Sequence, residues 1–288
     1  MKILVTGATG FIGSQLVPAL LKEHEVHCIL NPKSKKKPPP EASLTSLDLF
    51  SPFGAADLPK DMDVIIHLAQ GNLTFPEGAN ELFDINLAST QKLADYARRN
   101  HVSRFVFAST GNVYQLSTAP LSENSPTADN DFYAFTKLGA ERLLSLYSQF
   151  FDICILRLFT PYGPGQTNRM IPKIIELVDR SEPVTLYNDG EPAVTPILID
   201  DLIGIFLQST NLQGFHIVNL GGPKAVTVKD LAEIIGKSLN RKPKFVEITI
   251  EKRWNLIAKI DLMKELFSVP QLASPEEGIA RTIHAKNG

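Results

Sequence analysis

Cysteine is nearly absent. The chain has two in 288 residues, Cys28 and Cys154, each inside an apolar run. Two such residues build neither a disulfide framework nor a thiolate metal site, and they read as small core hydrophobes of a reducing compartment. The six histidines show no ligand spacing, so no metal centre is expected. Neither sign of charge is in excess: 29 Lys and Arg against 31 Asp and Glu leave a net charge of −2. That rules out a basic nucleic-acid footprint. No apolar run approaches the ~18 residues that span a bilayer. The chain opens at once on a strand-like run, residues 2–6, without the basic, apolar and cleavage segments of a secretory signal. The expectation is a cytoplasmic protein that binds neither nucleic acid nor membrane. What is plentiful is apolar: 43% hydrophobic residues, enough for the core of one large α/β domain with a smaller appendage. The one charged cluster, Lys33 with Lys35, Lys36 and Lys37 running into three prolines, reads as a solvated loop within residues 33–42.

Residues 3–6, 26–30, 64–68, 105–109 and 153–158 are continuously apolar rather than alternating, as suits parallel strands buried on both faces. Helical stretches at 10–23, 78–100 and 132–149 lie between them, and Pro18 should kink the first. Strand and helix alternate, which predicts a Rossmann-type doubly wound parallel sheet. After about residue 161 the texture changes. Strand signals at 184–187, 215–219 and 244–250 mix with helices at 170–180, 199–209, 227–238 and 260–266. The expected organisation is a dinucleotide-binding domain over 1–160, with returning segments near 195–220, and a smaller C-terminal α/β substrate lobe over 161–288.

The run Thr6-Gly7-Ala8-Thr9-Gly10-Phe11-Ile12-Gly13 follows a predicted strand and opens a predicted helix. Gly7 permits the tight turn, Gly10 lets backbone approach a pyrophosphate, and Gly13 lets helix and strand pack closely. The diphosphate then meets the N–H groups of Phe11, Ile12 and Gly13 at the positive end of the helix. At the end of the second strand a carboxylate would bind the ribose of NAD, whereas a basic residue would fit the 2′-phosphate of NADP. The run there is Leu30-Asn31-Pro32-Lys33, without a carboxylate. Asn31 suits either cofactor and Lys33 tips the balance towards NADP. Asp48 and Leu49 are expected beside the adenine, and Leu68, Ala69 and Gln70 at the edge of the sheet where ligands bind. His67 reads as a buried histidine with a satisfied ring. Asn86 sits mid-helix, where asparagine is a poor helix former, and bracing of nearby backbone would explain it.

Tyr133 and Lys137 stand four residues apart, on one face of a helix. A phenol titrates near ~10, and a neighbouring ammonium favours its phenolate. Tyr133 can therefore take a proton from a secondary alcohol as hydride leaves to the cofactor, or return it to a ketone. Lys137 would also hold the nicotinamide ribose. The strand at 105–108 delivers Ser109 and Thr110 to the same edge, where a hydroxyl can orient the substrate oxygen.

Together these segments resemble the extended short-chain dehydrogenase/reductase family, the NAD-dependent epimerase/dehydratase group. Residues 6–13 are similar to its nucleotide fingerprint, His67-Leu68-Ala69 to its fourth-strand motif, and Asn86 with Thr90 to the helix that follows. Ser-Thr-x-x-Val-Tyr at 109–114 and Tyr-x-x-x-Lys at 133–137 resemble its catalytic segments. Arg157 with Tyr162-Gly163-Pro164-Gly165, Ile199-Asp200-Asp201-Leu202 and Asn219-Leu220-Gly221-Gly222 resemble later signatures. The resemblance implies that Thr110, rather than Ser109, is the catalytic hydroxyl beside Tyr133 and Lys137. It implies Gln70, Asn112, Thr160 and Arg169 as substrate contacts, a nucleotide-linked sugar as substrate, and a homodimer through helices near 80–99 and 132–149. Departures narrow the reaction. Family dehydratases carry Asp-Glu after the threonine; this chain has Gly111-Asn112. The family's clamp arginine, four residues after Gly190, is Val194, and the Asn before its Tyr-Gly-Pro-Gly is replaced in Thr160-Pro161. The expected activity is hydride transfer at a secondary alcohol or ketone. Two alternatives stand beside it: an NADPH-dependent reductase of a small non-nucleotide carbonyl compound, and a non-catalytic dinucleotide sensor.

Overall fold

The computed structural model describes every residue except Asp189, Lys252, Pro270 and Gly288, and every other side chain except those of Lys286 and Asn287. The stretch 189–194 read above thus begins outside the described residues. The first half runs β1 (Lys2–Thr6), α1 (Gly13–Leu20), β2 (Glu25–Leu30), β3 (Ser43–Ser46), β4 (Val64–His67), α2 (Ala79–Phe83), α3 (Ser89–Arg99), β5 (Arg104–Thr110), α4 (Phe132–Ser145) and β6 (Asp152–Leu158). There follow β7 (Pro161–Tyr162), α5 (Met170–Asp179), β8 (Pro183–Tyr187), β9 (Ile197–Leu198), α6 (Ile199–Ser209), β10 (Phe215–Leu220), α7 (Val228–Leu239), β11 (Lys244–Ile248), α8 (Asp261–Leu266) and α9 (Pro275–Asn287).

Seven strands form one parallel Rossmann-type sheet in the order β10-β6-β5-β4-β1-β2-β3. The order reverses at β1 and β4, the place where a doubly wound sheet opens a crevice at its carboxyl edge. All seven residues of β5 are buried, which accounts for its unbroken apolar run. Phe105, Phe107, Leu93, Leu144 and Ile155 pack α3 and α4 onto this part of the sheet. Each such side chain stabilises the fold by roughly 2 kcal/mol.

The chain divides into two compact units. The first comprises Met1–Tyr114, Thr127–Arg157 and Ile205–Val218; the second comprises Gln115–Pro126, Leu158–Gly204 and Asn219–Gly288. The returning segment is shorter than the expected 195–220, and the departure of Gln115–Pro126 carries no compositional signal. In the second unit Leu121 N donates to Ile257 O and Asn219 Nδ2 to Leu121 O, so hydrogen bonds from residues distant in sequence hold that segment. The second unit's core joins Tyr162, Ile171, Ile175, Leu231, Ile235 and Ile279, contributed largely by α5, α7 and α9. Among the described residues no helix is long and apolar enough to cross a membrane.

Candidate active site

The site is built at the carboxyl ends of β1, β4 and β5. Gly7 follows β1 with φ +71, and a Cβ there would lie 2.7 Å from Ala69 N, so the turn needs glycine both for its conformation and for its contact with the end of β4. At Gly13 a Cβ would meet Gly7 O at 2.3 Å, which seats α1 close against β1. Gly10 differs. It is exposed, and its nearest neighbour is Gly7 O at 3.2 Å, so its open face is where a side chain would obstruct a ligand. Phe11 and Ile12, half-buried, lead into α1, where Gly10 O takes the Ser14 N–H and Ile12 O the N–H groups of Gln15 and Leu16, so the positive end of the helix begins at residues 11–13. This is a cradle for a diphosphate, and the residues fit a dinucleotide.

At the end of β2, Asn31 donates from Nδ2 to Asp48 Oδ1 at 3.1 Å and accepts the Lys33 N–H at 2.9 Å. Asp48 also accepts the Phe50 N–H, beside buried Leu49. A carboxylate therefore does stand at this strand end, supplied from beyond β3, and a 2′-phosphate brought to Asn31 would face its charge. The Lys33 side chain is exposed in the loop that follows.

His67 is fully buried and bonded at both ring nitrogens: Nδ1 lies 2.6 Å from Thr6 Oγ1 and Nε2 3.0 Å from Thr90 Oγ1. Thr90 gives its own proton to Asn86 O, so His67 donates from Nε2 and accepts at Nδ1. Burial, reinforced by Lys137, lowers its pKa to about 3. It is a neutral brace, and it holds Thr6, whose Oγ1 also accepts the Ala69 N–H.

Asn86 braces as well. It is fully buried, accepts the Gly71 N–H at 2.9 Å and donates to Thr136 Oγ1 at 3.0 Å, while Thr136 donates to Tyr133 O. This amide links the segment after β4 to the first turns of α4. Asn86 belongs to a π-helical turn, Asp84–Ala88, between α2 and α3. Such a turn re-aims one side chain inside an otherwise regular helix.

Tyr133 lies in the first turn of α4, behind Asp131, whose side chain caps the helix by accepting the Ala134 N–H at 2.7 Å. Its Oη donates to Gln70 Oε1 at 3.1 Å, joining two residues 63 positions apart. Lys137, one turn further, is 1% exposed; its ammonium donates to Ala108 O at 2.8 Å and lies 4.7 Å from the Phe107 ring centroid. Burial lowers its pKa to about 7, against the opposing pull of Glu141. Thr110 Oγ1 accepts the Asn112 N–H, which leaves the hydroxyl proton for another acceptor. Asn112 itself is exposed, and its carbonyl is held by Asn130. The structure thus brings Gly7, Leu68 and Ala69 together, and Gln70 with Tyr133. Thr160 and Arg169 belong to the second unit: Thr160 has φ 49, and Arg169 precedes α5 as its N-cap. Glu141, a further step of four along α4, receives Ser109 and Arg157; the repeated spacing from Tyr133 was its only sequence signal. Among the described residues no group of three or more His, Cys, Asp or Glu is placed to hold a metal ion.

A family model described as the NAD dependent epimerase/dehydratase family matches residues 3–221. The chain belongs to that family. Its members in the comparison include the uncharacterized UDP-glucose epimerase YtcB of Bacillus subtilis (strain 168), 32% identical over 98% of this chain and 97% of the relative. The UDP-glucuronate 4-epimerase of Thermodesulfobacterium geofontis is 28% identical over 98% and 94%. Among solved structures, MoeE5 in complex with UDP-glucuronic acid and NAD superposes with a TM-score of 0.86 at 26% identity, covering 100% of this chain and 99% of that one. The UDP-glucuronic acid 4-epimerase of Bacillus cereus in complex with NAD gives 0.87 at 25%, covering 99% and 96%. As an epimerase/dehydratase family member the chain is an NAD(P)-dependent enzyme of the extended short-chain dehydrogenase/reductase type. The lean towards NADP finds no support in these neighbours, whose cofactor is NAD.

Proposed function

We infer that the protein is an NAD-dependent epimerase that inverts a secondary-alcohol carbon of a UDP-linked hexose or hexuronate. The observation that carries this reading is the 3.1 Å contact between Tyr133 Oη and Gln70 Oε1, at the end of β4, with Lys137 one turn along the same helix. Tyr133 takes the hydroxyl proton of the substrate and later returns it. Thr110 donates its free hydroxyl proton to the same oxygen, and Lys137 keeps positive charge near the phenol so that the deprotonated form is accessible. Bound in the glycine cradle, NAD supplies the acceptor for the departing hydride and the donor for its return. Gly111 and Asn112 offer no carboxylate pair, so elimination of water lacks its acid and base. NAD is favoured over NADP because Asn31 is committed to Asp48. Gln70 and Asn112 of the first unit are the substrate contacts this reading assigns. The dinucleotide-binding role falls to the first unit and the substrate role mainly to the second.

The enzyme works as a cytoplasmic homodimer in this reading. Phe83 and Phe135, at 43% and 41% exposure, offer apolar surface on the helical stretches expected to pair. The test is incubation with UDP-glucose and with UDP-glucuronate, analysed for the 4-epimer, beside Tyr133→Phe. Turnover should fall by roughly 10²–10⁴-fold in the variant with NAD binding retained. Undiminished turnover in Tyr133→Phe overturns the reading. Reduction of a small carbonyl with exchangeable NADPH and no epimer formed would instead favour the reductase. One observation speaks for that second reading: Val194, where the family's clamp arginine stands, is buried and backbone-paired with Val226.

A further inference from the structure

Glu141 is a buried carboxylate outside the chemistry described so far. Tyr133, Lys137 and Glu141 repeat every four residues, so all three lie along one face of α4. Three cation–carboxylate hydrogen bonds tie Glu141 to Arg157: Nε donates to Oε1 at 3.1 Å and to Oε2 at 3.2 Å, and Nη2 to Oε2 at 2.6 Å, both side chains almost wholly buried. Ser109 gives its hydroxyl proton to the same carboxylate. Three consecutive residues of β5 thus divide the work: Ala108 O takes the Lys137 ammonium, Ser109 donates to Glu141, and Thr110 accepts the Asn112 N–H. The charged and titratable groups around Lys137 are Glu141 and Tyr133 on its own helix, Arg157 on β6, His67 on β4, and Tyr114 just beyond β5, whose ring stacks 4.6 Å from the Arg157 guanidinium. His67 is neutral. Arg157 is a fixed cation. Glu141 is the anion that favours the ammonium, against the burial that opposes it.

We propose that Glu141 is a positioning residue of the reaction: its carboxylate, metered by Arg157, keeps Lys137 charged and fixes the register of the Ser109–Thr110 strand end against α4. The proposal rests on the assignment of Tyr133 as the proton-transfer residue. It acts through the Tyr133–Lys137 pair, whose titration steps belong to both groups together.

A sign-opposed pair of variants tests it. Glu141→Gln removes a negative charge of nearly the same shape, so both steps of the pair move to lower pH. Arg157→Gln removes the neutralising cation and exposes the pair to the full Glu141 charge, so both move to higher pH. Coulomb's law at one helical turn gives shifts of about half a pH unit or more. The first readout needs no substrate: the phenolate absorbance of the cofactor-free protein is titrated, and the same titration in a Tyr133→Phe background is subtracted. The second is the pH profile of epimerisation. Opposite shifts support the proposal. Coincident profiles, or shifts of the same sign, overturn it. If Glu141→Gln does not fold, Arg157→Gln alone decides, and a profile that fails to rise overturns the proposal. Turnover that survives Tyr133→Phe would instead overturn the functional reading, an outcome visible in the control itself.

Discussion

Lys137→Met should make the protein more stable and useless. The wild-type ammonium is held at 1% exposure, and burial brings its pKa from the ordinary 10.5 to about 7. At about 1.4 kcal/mol per unit, that displacement corresponds to a cost of roughly 5 kcal/mol for keeping the charged form inside. Methionine has nearly the same length and no charge. Its gain is offset because Ala108 O loses its donor, about 1–3 kcal/mol, and because the contact with the Phe107 ring weakens, about 0.5–2 kcal/mol. A net gain of about 2 kcal/mol remains. The pH dependence separates this from better packing. The unfolded chain keeps the proton up to the ordinary 10.5, the folded chain only up to about 7. Below 7 both states carry it, so the folded state bears the whole desolvation cost. Above 7 the folded protein sheds it, unfolding then takes a proton up, and wild-type stability rises with pH towards the unfolded value. The gap between variant and wild type is therefore widest near pH 6 and narrows steadily above 7. Urea unfolding of the cofactor-free protein at several pH values measures it. A variant less stable than wild type at about pH 6, or a gap independent of pH, would refute the reasoning.

Gly13→Ala should abolish NAD retention and lower stability by about 3 kcal/mol or more, since its Cβ would sit 2.3 Å from Gly7 O with backbone on both sides; calorimetric titration with NAD and thermal melting check both. Asn86→Ala leaves the Gly71 N–H without its acceptor and frees Thr136, costing about 2–3 kcal/mol; turnover should fall with NAD affinity nearly unchanged, and unaltered kinetics would show that the brace does not reach Tyr133. Thr160→Asn should stabilise by about 1 kcal/mol, because a β-branched residue is held at φ 49 and asparagine tolerates that region; a lower unfolding midpoint would contradict this account.

Whatever rests on neighbours in sequence was legible. The glycine run, the four-residue step from Tyr133 to Lys137, and the continuous apolar runs of β1, β4, β5 and β6 each state their own structure, because turn, helix face and buried strand are local problems. β3 is different. Ser43–Ser46 is a largely exposed edge strand with one partner, β2, and nothing in Ser-Leu-Thr-Ser marks it; the register His27↔Ser43 and the 2.8 Å contact of His27 Nε2 with Thr45 Oγ1 hold it. The π turn at Asp84–Ala88 is equally silent, since one extra residue in a helix leaves its apolar pattern almost intact. Asn86 stands out in the sequence as a poor helix former, yet its partners lie 15 and 50 residues away and no local rule names them.

The lean towards NADP has the same origin. Residues 29–33 hold no carboxylate. Asp48 arrives 17 residues later, because β3 runs parallel to β2 and returns the chain to the same edge. A crossover connection separates in sequence what it joins in space, so the motifs of a doubly wound sheet fix where each strand end lies and leave open which side chains meet there. The contacts on which the proposed chemistry rests, Gln70 with Tyr133 over 63 residues and Ser109 with Glu141 over 32, are both of this second kind. Substitutions at Gln70 or Glu141 should therefore alter the reaction while leaving every motif intact.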